Sequence, residues 1–356
     1  MKNTFILLNL LLFSLSVYAQ RSTQIKLKDH APVSIYNIPV SNIEKAKYPV
    51  VDMHSHIYPT SISEVEEWVK NMDAAGIERT ILLSGYTGHS FDSLVSVYSK
   101  YDSRFELWCG LDLSDYGKPS FTKTVLSELE RCHKAGAKGV GEITDKGQGV
   151  YIAFQNNRAE GLHLDNPLMT PIYEKCAELN MPLNIHVAEP YWMYLSNDTI
   201  NDGLINAATW GIDLSADAIQ SFDELIDDFS NAVRNHPRTT FIACHLLNCN
   251  HDLSILSKLF DEHPNLYADI SARFGESGSI PRYMKRFLTK YADRILYGTD
   301  NGFSSDMYHT TFRFMETDDE HFYVPGFGYH WSYSGFDLPD EVLKKIYYET
   351  AKKIYK

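Results

Sequence analysis

Tyr48-Pro49-Val50-Val51-Asp52-Met53-His54-Ser55-His56 is a short apolar run that closes on two histidines. Alternate side chains of an extended strand share a face, so His54 and His56 can point together into one site. The same kind of ending recurs downstream. Met181-Pro182-Leu183-Asn184-Ile185-His186 closes on His186, and Thr240-Phe241-Ile242-Ala243-Cys244-His245 on His245. Arg294-Ile295-Leu296-Tyr297-Gly298-Thr299-Asp300 closes on Asp300, and Ala137-Lys138-Gly139-Val140-Gly141-Glu142-Ile143 carries Glu142 near its end. Imidazole nitrogens with a carboxylate suit a borderline divalent cation such as zinc, with a position left open for water.

Around these runs the chain alternates between two periods. Strand-like segments lie near 49–54, 79–84, 105–111, 137–143, 182–187, 239–245, 265–270 and 294–299. Helical patterns follow near 62–76, 90–101, 119–136, 167–180, 218–235, 252–263, 280–292 and 339–355. Asp165-Asn166-Pro167 opens one helix, and Asn235-His236-Pro237 and His263-Pro264-Asn265 close two others. Eight strands, each followed by a helix, is the count of a (β/α)8 TIM barrel, an α/β fold built here as a single domain over 48–356. Such barrels carry the active site at the C-terminal ends of their strands. His54, His56, Glu142, His186, His245 and Asp300 fall at those ends, so groups spread over about 250 residues would converge. Any one of them alone reads as a satisfied core histidine or a turn aspartate. Their joint placement is what points to metal chemistry.

The N-terminus is set aside from the fold. Lys2, the apolar run from Phe5 to Phe13 and the small residues before Gln20 have the form of a secretory signal peptide over 1–19. The run is short for a membrane span, and no later segment is long and apolar enough for one. Residues 20–47 read as an extended lead-in. The expected mature protein is periplasmic or secreted. Cleavage takes Lys and Arg from 33 to 32 against 46 Asp and Glu, a net charge of −14. That balance argues against nucleic acid or anionic lipid as a partner, because neither meets a phosphate-neutralising surface. The expected partner is a small-molecule substrate. A homodimer is left open, with no segment marking an interface. Cys109, Cys132, Cys176, Cys244 and Cys249 are odd in number and lack zinc-ribbon spacing. Cys109, Cys176 and Cys244 read as small buried residues, and a Cys244–Cys249 disulfide is left open.

The chain resembles the amidohydrolase superfamily, specifically the amidohydrolase-related branch (amidohydrolase 2) that includes decarboxylases and lactonases beside hydrolases. The resemblance rests on the His-x-His ending strand one, the single histidines ending strands five and six, and the Asp ending strand eight. The tail Leu338-Pro339-Asp340-Glu341-Val342-Leu343-Lys344-Lys345-Ile346-Tyr347-Tyr348-Glu349-Thr350-Ala351 adds to it, with Thr350 where that branch usually has Asn. It covers roughly residues 48 to 355. It implies that His54, His56, His186 and Asp300 are metal ligands, and that His245 binds a second ion or acts as acid/base beside the metal. Glu142 would hold a second ion or, in a mononuclear site, orient water or bind substrate. One or two ions, most simply Zn2+, are implied, with Asp300 and His245 as the catalytic pair.

The physical logic stands beside the resemblance. A metal held by imidazoles lowers the pKa of a coordinated water, and Asp300 can accept the proton as that water attacks. His245 can polarise a carbonyl or protonate a leaving group. Asp52 reads either as a support for the ligands or as strand-end packing. Substrate contacts are expected from the loops near 144–166, 188–217 and 300–338, with Tyr191 and Trp192 as ring contacts or as a loop's own apolar core. Arg273 is a candidate for a substrate carboxylate or for an ion pair. The leading expectation is a hydrolase in which metal-activated water attacks the carbonyl of a lactone, ester or amide. Decarboxylation of an unsaturated acid, a non-catalytic binding protein on the same fold, and phosphoester hydrolysis are the alternatives.

Overall fold

In the computed structural model, residues 26–59, 61–152, 155, 158–215 and 218–355 are described. The signal-peptide expectation over 1–19 lies outside them. A leading unit ends at Val33 and shows one short 3-10 turn, Leu27–Asp29. The second unit, Ser34–Lys356, holds every strand among the described residues.

Its strands are β1 (Val50–Ser55), β2 (Ile77–Leu83), β3 (Phe105–Trp108), β4 (Val140–Asp145), β5 (Tyr151–Ile152), β6 (Leu183–Val187), β7 (Phe241–Ala243), β8 (Leu266–Asp269) and β9 (Ile295–Leu296). Parallel ladders join β1-β2-β3 and β4-β6-β7-β8-β9, while β5 is a short antiparallel addition to β4. Backbone hydrogen bonds cross both seams between these sheets. Cys109 N–H donates to Gly139 O and Gly141 N–H to Cys109 O at one seam; Met53 N–H donates to Tyr297 O and Thr299 N–H to His54 O at the other. The eight parallel strands are those expected of the barrel, and β5 was not expected.

Local signals explain the helices. In α1 (Ile62–Ala75), Ser61 caps the start by accepting from Glu64 N–H, and Gly76 ends the helix in the left-handed region. Val65, Trp68, Met72 and Ala75 recur at helical spacing and face the core. Then come α2 (Gly88–Tyr98), α3 (Phe121–Ala135), α4 (Thr170–Glu178), α5 (Leu204–Trp210) and α6 (Phe222–Asn235), the last opened by a Ser221–Glu224 capping box. The remaining helices are α7 (Leu253–Glu262), α8 (Phe274–Ser279), α9 (Pro281–Lys290), α10 (Ser305–Glu316) and α11 (Asp340–Lys344). Three of these, α5, α8 and α10, lie where the sequence reads as loop.

The tail corrects another expectation. A continuous helix over 339–355 gives way after Lys344 to a widened π turn, Lys345–Glu349, and a 3-10 turn, Ala351–Lys353. The cause is tertiary. Ile346 O is drawn away to accept from Tyr297 N–H beside β9, so Thr350 N–H reaches back to Lys345 O instead. Thr350 Oγ1 then donates to Ala292 O at 3.0 Å.

Inside the barrel Val51, Met53, Ile81, Leu83, Trp108, Ile242 and Leu296 form one buried cluster, joined by Ala351 from the tail. Trp108 is its bulkiest member, and Gly139 on the neighbouring segment leaves room for it. A methyl group at Gly139 would lie 2.3 Å from the Trp108 ring. Gly139→Ala is therefore expected to cost about 1–3 kcal/mol of unfolding free energy through overpacking. Urea denaturation would read this as a lowered midpoint, and an unchanged midpoint would show that Trp108 can move aside.

Candidate metal centre

The strand ends bring His54, His56, Glu142, His245 and Asp300 into one buried cluster. Ligand-capable atoms of His54, His56 and Asp300 all lie within 4.8 Å of one another, as do those of His54, Glu142, Cys244 and His245. His56 Nε2 is 3.1 Å from Asp300 Oδ1 and 3.5 Å from Glu142 Oε2. His245 Nε2 is 3.7 Å from Glu142 Oε1 and 3.8 Å from Asp300 Oδ2. The Tyr58 hydroxyl donates to Asp300 Oδ1 at 3.4 Å.

The outward partners fix which nitrogen of each ring faces the centre. His56 Nδ1 lies 2.9 Å from Leu83 O, and His245 Nδ1 lies 2.9 Å from Ser271 O. A carbonyl can only accept, so both Nδ1 atoms carry the proton and both rings turn Nε2 inward, where it is a lone pair whenever the ring is neutral. His54 Nδ1 faces Asp269 Oδ2 at 3.0 Å, and its Nε2 is buried without a hydrogen-bond partner. Three convergent imidazole lone pairs beside two carboxylates are the donor set of a divalent cation. Such outward hydrogen bonds orient ligands and raise their basicity. The residues present therefore fit a divalent metal.

His186 is turned differently. Its Nδ1 lies 2.6 Å from Glu142 Oε1, and its Nε2, which has no hydrogen-bond partner, lies 3.7 Å from Glu189 Oε2. The structure places it against Glu142 and outside both donor groups. Glu142 thus sits between His56, His186 and His245, where its position allows contact with an ion. Lys138 is exposed, away from this cluster.

Electrostatics agree with the geometry. Burial alone would depress His54, but the charges of Asp269 and Asp300 overcome it and raise its pKa to about 10. Burial opposes ionisation of Asp300, yet the surrounding histidines hold it below the usual carboxylate range. His245 is lowered by burial, which keeps it neutral. Asp52 is pushed up by burial to about 7, against hydrogen bonds from Thr299 Oγ1, His54 N–H and Thr299 N–H. It ties the end of β1 to the segment carrying Asp300, and this is the support role.

Sequence reasoning missed Asp269. Its Oδ2 holds His54 and accepts from Asn184 Nδ2 at 3.2 Å, while its Oδ1 accepts from the backbone N–H groups of His245 and Ser271 and from the Ser271 hydroxyl. The available signal was its place at the end of β8. Lys146 and Glu276, which pair with Glu189 and Arg273, were not singled out either. Arg273 keeps 11% of its side chain exposed and is already engaged: Nε donates to Asn248 Oδ1 at 2.8 Å, and Glu276 and Glu189 lie 3.6 and 3.9 Å away. The ion-pair reading of Arg273 is the one seen. Tyr191 stacks on His251 at 4.3 Å and meets Phe222 edge-on, so its ring serves loop packing. Trp192 faces Tyr329 and Trp331. All five cysteines are buried and free, and Cys244 Sγ donates to Asn184 Oδ1 at 2.7 Å, so the Cys244–Cys249 disulfide is absent.

Asp269→Asn keeps the shape and removes the charge behind His54. Divalent-metal affinity is expected to fall roughly 10–100-fold, measured by competition against a chromophoric chelator. Unchanged affinity in the folded variant would remove Asp269 from the centre.

Comparison with known proteins follows this geometry. The amidohydrolase family model matches residues 51–356. No curated protein matches the chain. Among solved structures, 2,6-dihydroxybenzoate decarboxylase from Rhizobium is 18% identical with a TM-score of 0.53, over 86% of this chain and 98% of that one. A TIM-barrel protein from Bordetella bronchiseptica is 14% identical with a TM-score of 0.53, over 86% and 98%. The manganese complex of 5-carboxyvanillate decarboxylase from Novosphingobium aromaticivorans is 15% identical with a TM-score of 0.51, over 88% and 99%. At such identities the likeness speaks for the fold. The family match covers most of the chain, and the chain belongs to the amidohydrolase family of metal-dependent enzymes on a (β/α)8 barrel.

Proposed function

We propose that this protein is an exported, metal-dependent hydrolase acting on the carbonyl of a small molecule, a lactone, ester or amide. The observation that carries the reading is Asp300. Its carboxylate is held ionised among His54, His56 and His245, and at 22% side-chain exposure it is the member of the cluster most open to solvent. An ionised carboxylate in that place can take a proton from an attacking water. A bound divalent ion would supply the Lewis acidity and the activated water. Residues of the chain do the rest. Asp300 accepts the proton, His56 and Tyr58 orient its carboxylate, and His245 Nε2 is positioned as a further acceptor beside it.

Zinc suits the three imidazoles, while the carboxylates Glu142 and Asp300 also suit manganese, the ion named for the carboxyvanillate enzyme. Decarboxylation is the second reading. It is supported by the same donor set and by the activities named for the two decarboxylases of like fold. The signal-peptide pattern before Gln20 supports export.

Elemental mass spectrometry of the purified mature protein, with Glu142→Ala and Asp300→Ala, tests the centre. One ion, retained in Glu142→Ala and weakened in Asp300→Ala, is the outcome for a mononuclear site. Two ions falling to one in Glu142→Ala would make it binuclear. No metal under any loading condition would sink the proposal. For the reaction, oxygen from labelled water is expected in the product, and release of carbon dioxide without such incorporation would replace hydrolysis by decarboxylation. N-terminal sequencing of the exported form is expected to begin at Gln20.

A further inference from the structure

At the end of the barrel opposite the metal centre, a cavity of about 270 Å3 lies at the starts of β3, β4, β6 and β7. Three parts of the chain wall it. Lys138, Arg238 and Thr240 come from the segments that lead into β4 and β7, and Asn180 from the turn after α4. The tail supplies Lys353, Ile354 and Tyr355.

Lys138, Arg238 and Lys353 thus bring three cations to one concavity. Among the described residues, none of their charged groups has an ion pair, a hydrogen bond or a ring contact. Elsewhere the cations of this acidic chain find carboxylates, as Lys47, Lys118, Lys175, Lys285 and Lys290 do. The carboxylate in the wall, Glu106, does not serve them. Its Oε1 accepts from Trp108 Nε1 at 3.0 Å, and its Oε2 faces Arg79 Nη1 at 3.4 Å. The wall keeps a positive excess on a chain whose net charge is −13. A concavity lined by one sign of charge concentrates ions of the other.

The neutral groups point the same way. The Asn180 amide and the Thr240 hydroxyl line the cavity and have no hydrogen-bond partner among the described residues. Both can donate. Three cations and two further donors exceed what the two oxygens of a carboxylate can take up. A phosphoryl group has three acceptor oxygens and carries nearly two negative charges. The arginine fork and the lysine point charge both suit it. Half-buried Ile354 and Tyr355 leave an apolar surface beside the charges, with room for an organic group. This is one local concavity, and it lacks the extended basic surface that nucleic acid needs.

We propose that this floor of the barrel binds a small phosphorylated molecule, at a site separate from the metal centre. Lys138, Arg238 and Lys353 meet the phosphoryl oxygens, Asn180 and Thr240 donate to the same group, and the organic part lies against Ile354 and Tyr355. Lys353 belongs to the tail, while Lys138 and Arg238 belong to the barrel, so the bound anion fastens one to the other. Ala351 of the same tail is part of the buried cluster inside the barrel, and occupancy of the floor therefore steadies that packing.

Metal-loaded protein is titrated calorimetrically with glycerol 3-phosphate and with inorganic phosphate, at an ionic strength held constant with sodium chloride; acetate is the carboxylate control. Saturable binding of glycerol 3-phosphate is expected, with slower amide hydrogen exchange over 351–355. Arg238→Gln is expected to weaken it about tenfold or more, through loss of charge-assisted hydrogen bonds. Lys353→Gln is expected to weaken it about threefold, and Lys138→Glu to remove it. All three positions are exposed, and circular dichroism and metal content establish that the variants are folded and loaded. Phosphate binding that none of the three substitutions changes would put the anion at the metal centre and overturn the proposal. Absence of saturable binding would also overturn it, as would acetate binding as tightly as phosphate.

Discussion

Asp269 is buried completely, and its carboxylate accepts hydrogen bonds from three other strand ends and from Ser271 on its own segment. An isolated buried carboxylate costs several kcal/mol, so it persists only where donors converge on it. Here the donors are the ring of His54 on β1, the amide of Asn184 on β6, and the backbone N–H of His245, just beyond β7. At this end a carboxylate thus links three other strands to β8, beside backbone bonds such as that from Ile270 N–H to Leu296 O. Asp52 does the same between β1 and the residues after β9, where Thr299 supplies two donors. Both carboxylates hold histidine-bearing or aspartate-bearing backbone in place, so the fold and the site share their fastenings.

This sharing also explains the strained backbone. His245, Leu246, Leu247 and Asn248 all adopt positive φ, as does Asp300 at 54°. Non-glycine residues sit there only when their surroundings determine the conformation, and such positions gather at functional sites. At His245 the determining contacts are the Asp269 carboxylate on its N–H and Ser271 on its ring. The same negative charges that fix the backbone create the field that raises His54. A cluster with that field binds either protons or a metal ion, so metal binding must release protons and weaken in acid.

Much of this was legible in the sequence because strand ends are local features. The runs ending at His54, His56, His186, His245 and Asp300 combine a strand period with an abrupt polar stop, and the alternation of strand-like and helical patterns supplied the other four parallel strands. The tail was misread because its departure from a helix depends on Ile346 O bonding to Tyr297, 49 positions away in sequence. Helix α8 was missed because Phe274-Gly275-Glu276-Ser277-Gly278-Ser279 has two glycines and two serines and no apolar period. Helix α10 was a different failure: Tyr308, Thr311, Phe312 and Met315 do recur at helical spacing and are buried, within a stretch read only for its aromatic loop residues. The roles of Asp269 and Glu189 were not legible, since a carboxylate declares no partner until distant strands are brought beside it.

The division between strand ends and loops then sets what each can contribute. Groups at the strand ends are held by buried bonds on their outer sides, which leaves their inward lone pairs committed to one point in space. Groups on the loops form a second layer in which Lys146, Glu189, Arg273 and Glu276 neutralise one another. A neutral second layer does not compete with the centre for a cation, and it does not draw an anion past it. Attraction for the reacting molecule must therefore come from the metal centre and from directional hydrogen bonds, and not from long-range charge.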